Sequence, residues 1–245
     1  MALEVKYNLD SHKKRARAIL RAISRESDVI RRMQRLANMF VGSPYIANSL
    51  IGGPHQTEKL VVNLEAFDCV TFVESTLALA RSTSPTGFIN ELKRIRYRQG
   101  LIDWTARLHY FSDWMKSNQQ HGIIRIRTRG TGSHSIKKNL TNLKGLPARA
   151  VRFQIVPKSK AHLARRRISN GSIVAFGSMR FGLDFFHTGL LFFPKLPAGR
   201  LKEMVLYHAS RDAKKVIAEP VYDFLHRNRM RGIAFAVPCS PGGVR

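Results

Sequence analysis

The sequence is poor in cysteine, because its 245 residues include only Cys69 and Cys239. Two cysteines cannot build a disulfide framework, which excludes the class of small, cross-linked secreted domains. A single bridge between the two stays open at this point, although it would remove Cys69 as a free thiol. Paired-cysteine spacings and an HExxH motif are also missing, so we expect no metal site and no cofactor.

Long apolar runs are missing as well. No stretch reaches the 18 or so apolar residues that a membrane-spanning helix needs, so none is predicted. The first twenty residues lack the apolar segment of a signal peptide. As written, the sequence leaves three expectations open: a cytoplasmic protein, a leader that has been removed, or export by another route. With 44% hydrophobic residues, the chain can still bury a substantial core.

Acidic residues are scarce, and none occurs between Asp113 and Asp184, where fifteen Lys and Arg are found. The net charge of +26 predicts a polyanionic partner such as nucleic acid, anionic lipid or an anionic cell-wall polymer. No zinc-finger spacing, helix-turn-helix signature or aromatic RNA-binding motif accompanies the charge, which makes nucleic acid the less favoured partner. A solvated face without a partner explains the charge equally well. If there is such a partner, we expect the basic region 116–180 to contact it.

The segment 60–81, LVVNLEAFDCVTFVESTLALAR, contains a candidate nucleophile. Apolar residues recur after Cys69 at three- and four-residue spacing, which predicts the buried face of a helix. Asp68 stands at the N-cap position and places Cys69 in the first helical turn. There the free N–H groups and the positive end of the helix dipole favour a thiolate over a thiol. Cys69 is therefore read as a nucleophile, against the alternative of a small buried apolar side chain.

Two of the nine histidines lie in apolar, strand-like segments: His187 in LDFFHTGLLFF and His208 in MVLYHASR. Burying an imidazole among bulky apolar side chains is unfavourable unless its ring nitrogens are paired, so each alone is most simply a satisfied core histidine. Beside a cysteine at a helix N-terminus, the two predict a nucleophile, a base and an orienting group. His187 would take the proton of Cys69, and His208 would hold the His187 ring.

The periodicity of the sequence changes near Gly122. Before it, the pattern predicts a basic amphipathic helix over 13–40, a loop over 43–57 and helices beginning near Cys69, Ser84 and Leu108. After it, alternation predicts strands near 123–127, 151–156, 172–176, 185–193, 204–209, 214–218 and 233–237, a loop over 129–145 and a short helix over 221–228. Helices first and strands second indicate an α+β domain with helices packed on a mostly antiparallel sheet.

The sequence resembles the amidase-like branch of the NlpC-type, papain-like cysteine hydrolases of bacterial cell walls. The segments that carry the resemblance are GSPYIANSLIG (42–52), EKLVVNLEAFDCVTFVESTLALA (58–80), IRYRQGLIDWTARLHYFSDWMKSN (95–118), GLDFFHTGLLFF (182–193) and VLYHAS (205–210). The resemblance implies a papain-like fold over 42–245, in which the nucleophile helix packs on the sheet, preceded by a basic helical extension over 1–41.

The resemblance also implies roles for individual residues. Cys69 matches the nucleophile, His187 the general base and His208 the third member of the site. Tyr45 matches a tyrosine whose phenol helps to hold the oxyanion or the substrate. Asp68 matches an acidic residue that faces the substrate peptide, while its alternative role is the helix cap. Arg107, His109 and Tyr110 belong to a further matching motif, for which we expect a structural role.

The activity implied is hydrolysis of an amide bond in peptidoglycan, with the N-acetylmuramoyl-L-alanine bond favoured. The alternatives are the γ-D-glutamyl–diaminopimelate bond and a non-catalytic basic protein that binds nucleic acid or an anionic surface. Such enzymes act in the periplasm or outside the cell. The chain departs from the family in two places: Asn170-Gly171-Ser172 replaces the usual Asp-Gly-Asp turn, and the basic region 129–168 matches poorly.

Overall fold

The computed structural model describes residues 9–130, 132–193 and 203–242. Six α-helices are present in this part of the chain, five of them in its first half. The helices are α1 (Leu9–Ala22), α2 (Val29–Phe40), α3 (Cys69–Ala80), α4 (Pro85–Arg96), α5 (Phe111–Gln120) and α6 (Val221–Arg227). Two 3-10 segments, Arg98–Gly100 and Lys158–Arg167, lie between these elements.

Strands occupy most of the second half. They are β1 (Ile51–Gly53), β2 (Gln56–Lys59), β3 (Ile124–Ile126), β4 (His134–Leu140), β5 (Arg149–Pro157), β6 (Ser172–Gly177), β7 (Phe185–Phe192), β8 (Val205–Ser210), β9 (Lys215–Pro220) and β10 (Gly232–Pro238). β1 and β2 form a hairpin, and the others form an eight-stranded sheet in the order β4-β5-β10-β6-β7-β8-β9, with β3 on β10. Every pairing in this sheet is antiparallel, so the expected α+β architecture is confirmed.

Helix α3 lies at the centre of the molecule. All of its residues from Thr71 to Ala80 are buried, and it packs against α2, α4 and strands β7 and β8. The rings of Phe40, Phe67 and Phe72 meet where α2 and the segment before α3 come together. Burial of aromatic and aliphatic side chains on every side fixes α3 on the sheet, which sets the position of its first residue, Cys69.

The N-terminal helices share the same core. Ile19, Met33 and Leu36 are buried in one cluster with Phe72 and other residues of α3. The predicted single helix over 13–40 is wrong, because the chain bends at 23–28 and a new helix begins at Val29. The Asp28 carboxylate caps that helix by accepting the N–H of Arg31 at 2.8 Å. The domain boundary proposed at residue 41 stays a prediction.

Strand β4 replaces the loop predicted over 129–145. It pairs with β5 from His134 to Leu140, and its inward positions are Ile136, Lys138 and Leu140. The lysine at the middle inward position interrupts the apolar alternation by which a strand is identified from sequence. The predicted loop over 43–57 likewise contains β1 and part of β2.

Candidate active site

The N-terminus of α3 has the cap that the sequence predicts. Oδ1 of Asp68 accepts the N–H of Val70 at 3.0 Å and that of Thr71 at 2.7 Å. The Thr71 hydroxyl in turn accepts the N–H of Asp68 at 2.9 Å, which completes a capping box. These bonds fix the first turn and hold Cys69 at the end of the helix.

Helix α3 packs against strand β7, where the backbone N–H of Thr188, the residue after His187, favours a thiolate at Cys69. Burial and the Asp68 carboxylate raise the pKa of Cys69 to about 12, against the lowering effect of backbone N–H groups of Thr188, Cys69 and Val70. The N–H groups of the helix N-terminus therefore favour the thiolate as expected, but burial and the Asp68 carboxylate outweigh them. The thiol keeps its proton until a base takes it. Both cysteines are free, so no bridge joins Cys69 to Cys239.

The two predicted histidines meet on neighbouring strands. Nε2 of His187 on β7 lies 2.7 Å from Nδ1 of His208 on β8, and the two rings are close to perpendicular, at 85°. Gly189 makes this approach feasible, because a Cβ at that position would lie 3.0 Å from Cβ of His208 and 2.7 Å from Tyr207 O. The pairing of the two imidazoles satisfies the condition for burying them.

The chain of contacts continues to a carboxylate that the sequence reasoning missed. Nε2 of His208 lies 2.9 Å from Oε1 of Glu219, and Arg227 donates to both oxygens of Glu219 at 2.8 and 2.6 Å. The strand register could have predicted Glu219 as a partner of His208, because Glu219 on β9 pairs with Leu206 on β8, two residues from His208. Counting across the predicted hairpin would have placed an acid next to this histidine.

These contacts assign the tautomers of both histidines. A carboxylate held by Arg227 accepts hydrogen bonds, so Nε2 of His208 carries its proton and Nδ1 is an acceptor. Nε2–H of His187 then donates to that acceptor, which leaves Nδ1 of His187 unprotonated. Among the described residues, this Nδ1 has no hydrogen-bond partner. We call the chain of contacts from Glu219 through His208 to His187 the histidine relay. Its last atom, Nδ1 of His187, is unprotonated and can accept a proton.

Burial keeps both imidazoles neutral. Desolvation, followed by the charge of His208, lowers the pKa of His187 to about 3. Desolvation also lowers the pKa of His208, although the hydrogen bond and charge of Glu219 act to raise it. With a protonated thiol and neutral rings, the resting site holds no thiolate–imidazolium pair.

One pocket of about 480 Å³ brings these groups together, since its lining includes Tyr45, Cys69, His187 and His208. Tyr45 is held there because its N–H donates to Lys214 O at 2.8 Å while Phe67 N–H donates to Pro44 O at 3.0 Å. Burial, and then the charge of Cys69, raise the pKa of the Tyr45 phenol, so the hydroxyl keeps its proton.

Asp68 does not line this pocket, and its Oδ1 is occupied by the cap. The structure therefore gives Asp68 the helix-cap role, and contact with substrate stays a prediction. The motif residues 107–110 also lie outside the pocket lining. Arg107 donates to Glu58 at 3.0 Å, His109 Nε2 lies 2.7 Å from Trp104 O, and the Tyr110 hydroxyl accepts the N–H of Asn142 at 2.9 Å. These contacts join the segment before α5 to β2 and to a neighbouring loop, in line with the structural role expected.

The Asn170-Gly171 turn is held by hydrogen bonds although it lacks the usual acidic residues. Gly171 has φ +77°, a conformation that favours glycine, and its N–H donates to Leu191 O at 2.9 Å. Oδ1 of Asn170 accepts the N–H of Phe193 at 2.9 Å, and the Ser172 hydroxyl donates to Ser169 O at 2.7 Å. An amide and a hydroxyl thus support the entry to β6.

Within the described ranges, no cluster of three or more His, Cys, Asp or Glu side chains has the geometry to hold a metal ion. In the same part of the chain, every helix is too short or too polar to cross a lipid bilayer.

Comparison with known proteins agrees with this architecture. An N-acetylmuramoyl-L-alanine amidase from Bacteroides uniformis superposes with a TM-score of 0.74 at 25% identity, covering 86% of this chain and 99% of the amidase. A Bacteroides fragilis protein provisionally named a xylanase gives 0.71 at 28% identity, covering 83% and 99%. A Legionella pneumophila protein of family DUF1460 gives 0.79 at 19% identity, covering 95% and 96%, and shares the fold.

No curated protein matches the chain. The sequence profile of the AmiA-like family, described as N-acetylmuramoyl-L-alanine amidase-like, matches residues 35–233. That range includes Tyr45, Cys69, His187, His208 and Glu219, and so covers the pocket and its histidine relay. The chain therefore belongs to the AmiA-like, N-acetylmuramoyl-L-alanine amidase-like family.

Proposed function

We propose that the protein is a cysteine amidohydrolase that cleaves the bond between N-acetylmuramic acid and L-alanine in peptidoglycan. The single observation that carries this proposal is the chain of contacts from Glu219 through His208 to His187, which leaves an unprotonated Nδ1 in the pocket of Cys69. The family supplies the substrate class, since its members are described as N-acetylmuramoyl-L-alanine amidase-like. The papain-like, NlpC-type placement belongs to the same proposal.

The first step is proton transfer from the Cys69 thiol to Nδ1 of His187, coupled to attack of Sγ on the carbonyl carbon. A thiol with pKa about 12 and an imidazole with pKa about 3 do not form an ion pair at rest, so the two events occur together. The positive charge that develops on His187 is shared through its Nε2–H with His208 and the Glu219 carboxylate. The relay thus stabilises charge that appears only during the reaction.

Two donors are available for the oxyanion that forms on the carbonyl oxygen. The Val70 N–H is engaged by Asp68, whereas the Cys69 N–H has no backbone or carboxylate partner among the described residues. The protonated Tyr45 hydroxyl lies in the same pocket and interacts electrostatically with Cys69. The Cys69 N–H and the Tyr45 hydroxyl are the donors that we assign to the oxyanion.

The intermediate collapses when Nδ1–H of His187 protonates the leaving nitrogen of L-alanine. The C–N bond breaks, and the muramoyl carbonyl remains on Sγ as a thioester. Water then attacks this carbonyl while Nδ1 takes its proton. Breakage of the C–S bond, with return of that proton to sulfur, releases the muramic acid carboxylate and restores the thiol.

Two other functions would use the same features. Cleavage of the γ-D-glutamyl–diaminopimelate bond needs the same nucleophile and base, and the two activities differ in the products released. A non-catalytic protein that binds nucleic acid or an anionic surface would use only the positive charge. The cell-wall substrate implies action in the periplasm or outside the cell, and the basic region 116–180 would contact the carboxylate-bearing polymer.

The test is digestion of purified sacculi by the wild-type protein, by Cys69→Ala and by Cys239→Ala, followed by mass spectrometry. We expect the wild type and Cys239→Ala to release stem peptides with a free L-alanine N-terminus, and Cys69→Ala to release none. Cys239 is a matched control because it is the other cysteine of the sequence and its thiol is also free.

Peptides that begin with diaminopimelate would instead indicate the endopeptidase. Activity retained by Cys69→Ala would refute the cysteine mechanism. No release by the wild type, together with salt-sensitive DNA binding, would favour the non-catalytic alternative.

A further inference from the structure

Three arginines, Arg180, Arg211 and Arg229, line the pocket that contains Cys69. All three are exposed, and none makes a side-chain hydrogen bond or ion pair with another described residue. Exposed arginines are common in a chain with net charge +26. These three share the pocket of the candidate active site, whereas Arg107 and Arg149, which line another pocket, are paired with Glu58 and Asp113.

The three side chains come from separate elements. Arg180 lies in the β6–β7 connection, Arg211 in the β8–β9 turn and Arg229 in the segment after α6. They therefore approach the pocket from different sides, as is needed to hold a ligand rather than to extend a solvated face. A guanidinium binds a carboxylate through two parallel N–H bonds, so several around one pocket favour a carboxylate ligand.

The position of Arg180 is built into the fold. Nζ of the buried Lys138 on β4 donates to Ser178 O at 2.9 Å and to Arg180 O at 2.6 Å. The N–H of Arg180 donates to the Ser178 hydroxyl at 3.0 Å, and Ser178 N–H donates to Asp184 O at 2.7 Å. The connection is therefore an ordered turn that presents Arg180 at the pocket mouth.

The charge balance of the pocket favours an anion. Asp212 is the one acidic side chain among the described lining residues, against three arginines. The nearby carboxylates are already used, since Asp68 caps α3 and Glu219 is bound by Arg227 and His208. A ligand with a carboxylate would accept hydrogen bonds from these unpaired guanidinium groups.

We propose that Arg180, Arg211 and Arg229 form a carboxylate-binding subsite for the peptide side of the scissile bond. Its ligand is the free α-carboxylate of D-glutamate, the residue that follows L-alanine in a stem peptide. This inference rests on the proposed function, because that function places L-alanine at Cys69. The subsite makes the protein selective for stem peptides that carry D-glutamate over those amidated to D-isoglutamine.

The test compares two substrates that differ only in this group: N-acetylmuramoyl-L-alanyl-γ-D-glutamyl-L-lysine and its α-carboxamide. We expect the wild type to favour the acid roughly 10- to 100-fold in kcat/KM, since charge-assisted bonds to arginine are lost in the amide. Arg180→Gln, Arg211→Gln and Arg229→Gln should each reduce this ratio. A ratio of two substrates cancels any partial loss of folded protein.

Arg125→Gln is the matched control, because Arg125 is exposed on β3, away from the pocket lining. We expect it to leave the ratio unchanged. Equal rates on the acid and the amide would overturn the inference, and so would a ratio reduced as much by Arg125→Gln, which would indicate overall charge instead of a subsite.

A binding experiment separates this inference from the proposed function. Calorimetry of Cys69→Ala with the peptide L-alanyl-γ-D-glutamyl-L-lysine and with its α-carboxamide needs no turnover. If neither muramoyl substrate is cleaved but the acid binds more tightly, the hydrolase proposal fails and the subsite stands. If the substrates are cleaved and both peptides bind equally, the subsite fails and the hydrolase proposal stands.

Discussion

Helix α3 contributes one residue to each of two polar networks, and the two networks differ in how fully their groups are hydrogen-bonded. At its first residue, Cys69 shares a pocket with His187 and His208, and Glu219 is bonded to His208. One and a half turns later, Glu74 enters a buried network in which its carboxylate accepts Arg96 Nε at 2.7 Å and Trp114 Nε1 at 3.2 Å. The Glu74 network lies in the apolar cluster around α3, whereas His187 and His208 pack on Phe224 of a second cluster and line a pocket.

The difference lies in how completely their groups are paired. Both carboxylate oxygens of Glu74 have partners, and Arg96 also donates to Val61 O at 2.6 Å. In the other network the thiol keeps its proton and Nδ1 of His187 has no partner among the described residues. A saturated network holds helices together, whereas one with a vacant acceptor can take up a proton during a reaction.

The largest expected effect is on activity, through His187→Gln. Removing the proton acceptor should lower kcat for muropeptide hydrolysis by about 10⁴-fold, since it is both base and acid in the cycle. The change should leave the free energy of unfolding far less affected than a change in the Glu74 network. Steady-state kinetics and urea unfolding of the same preparation measure both. A variant with near wild-type kcat would remove the relay from the mechanism.

Glu74→Ala should show the reverse pattern, with stability as the main loss. It leaves the Arg96 guanidinium buried without its partner, which we expect to reduce the free energy of unfolding by about 3–5 kcal/mol. Glu26→Ala is the control, because the Glu26–Arg35 pair is partly exposed and should matter by less than about 1 kcal/mol. Similar losses in the two variants would contradict the assigned role of the buried pair.

Glu219→Gln should weaken the relay without removing it. An amide no longer fixes the tautomer of His208 or balances the charge that develops on His187, so kcat should fall by about 10²-fold while KM changes little. Asp223→Asn removes one negative charge from an exposed position on α6 and should leave kcat unchanged. A loss confined to KM would assign Glu219 to substrate binding.

A further expected effect is on the pH dependence of stability. The pKa of His187 is lowered to about 3 in the folded state, so the unfolded chain takes up its proton first as the pH falls below about 6.5. Between these values, folding loses up to about 1.4 kcal/mol per pH unit for this group. His109, with its pKa lowered by burial to about 4, acts in the same direction.

The raised pKa values of Glu74 and Asp184 act in the opposite direction, so the informative quantity is a difference between variants. We expect the stability of His187→Gln, measured by urea unfolding at pH 7, 5 and 4, to fall less steeply with acid than that of the wild type. Parallel profiles would mean that His187 is not buried as a neutral ring.

The sequence predicts those residues of the candidate site that are recognisable from their own type and their immediate neighbours. Cys69 followed from a cap and a helical period, and the two histidines from their apolar strand contexts. It missed Glu219, because that residue acquires its role only when β9 is aligned with β8. It also did not anticipate that burial and the Asp68 carboxylate raise the pKa of Cys69 by more than the helix N–H groups lower it.

The fold divides in the same way. Periodic segments such as α3 and β7 lie close to where their apolar spacing predicts them. The exceptions have a polar residue at a decisive position. Asp28 caps a second helix in a region predicted to be a single helix, and Lys138 occupies an inward position of β4. Such residues follow no period, and their effect depends on a partner that is distant in sequence.

Lys138 has a consequence for how selectivity can change. Its amine joins the β4–β5 hairpin to the two carbonyls that frame Met179 at the mouth of the cleft. The hairpin is remote in sequence from the thiol and both imidazoles. A change in the hairpin can therefore reach the backbone that carries Arg180 through this one amine, without altering a contact of Cys69 or of the two imidazoles.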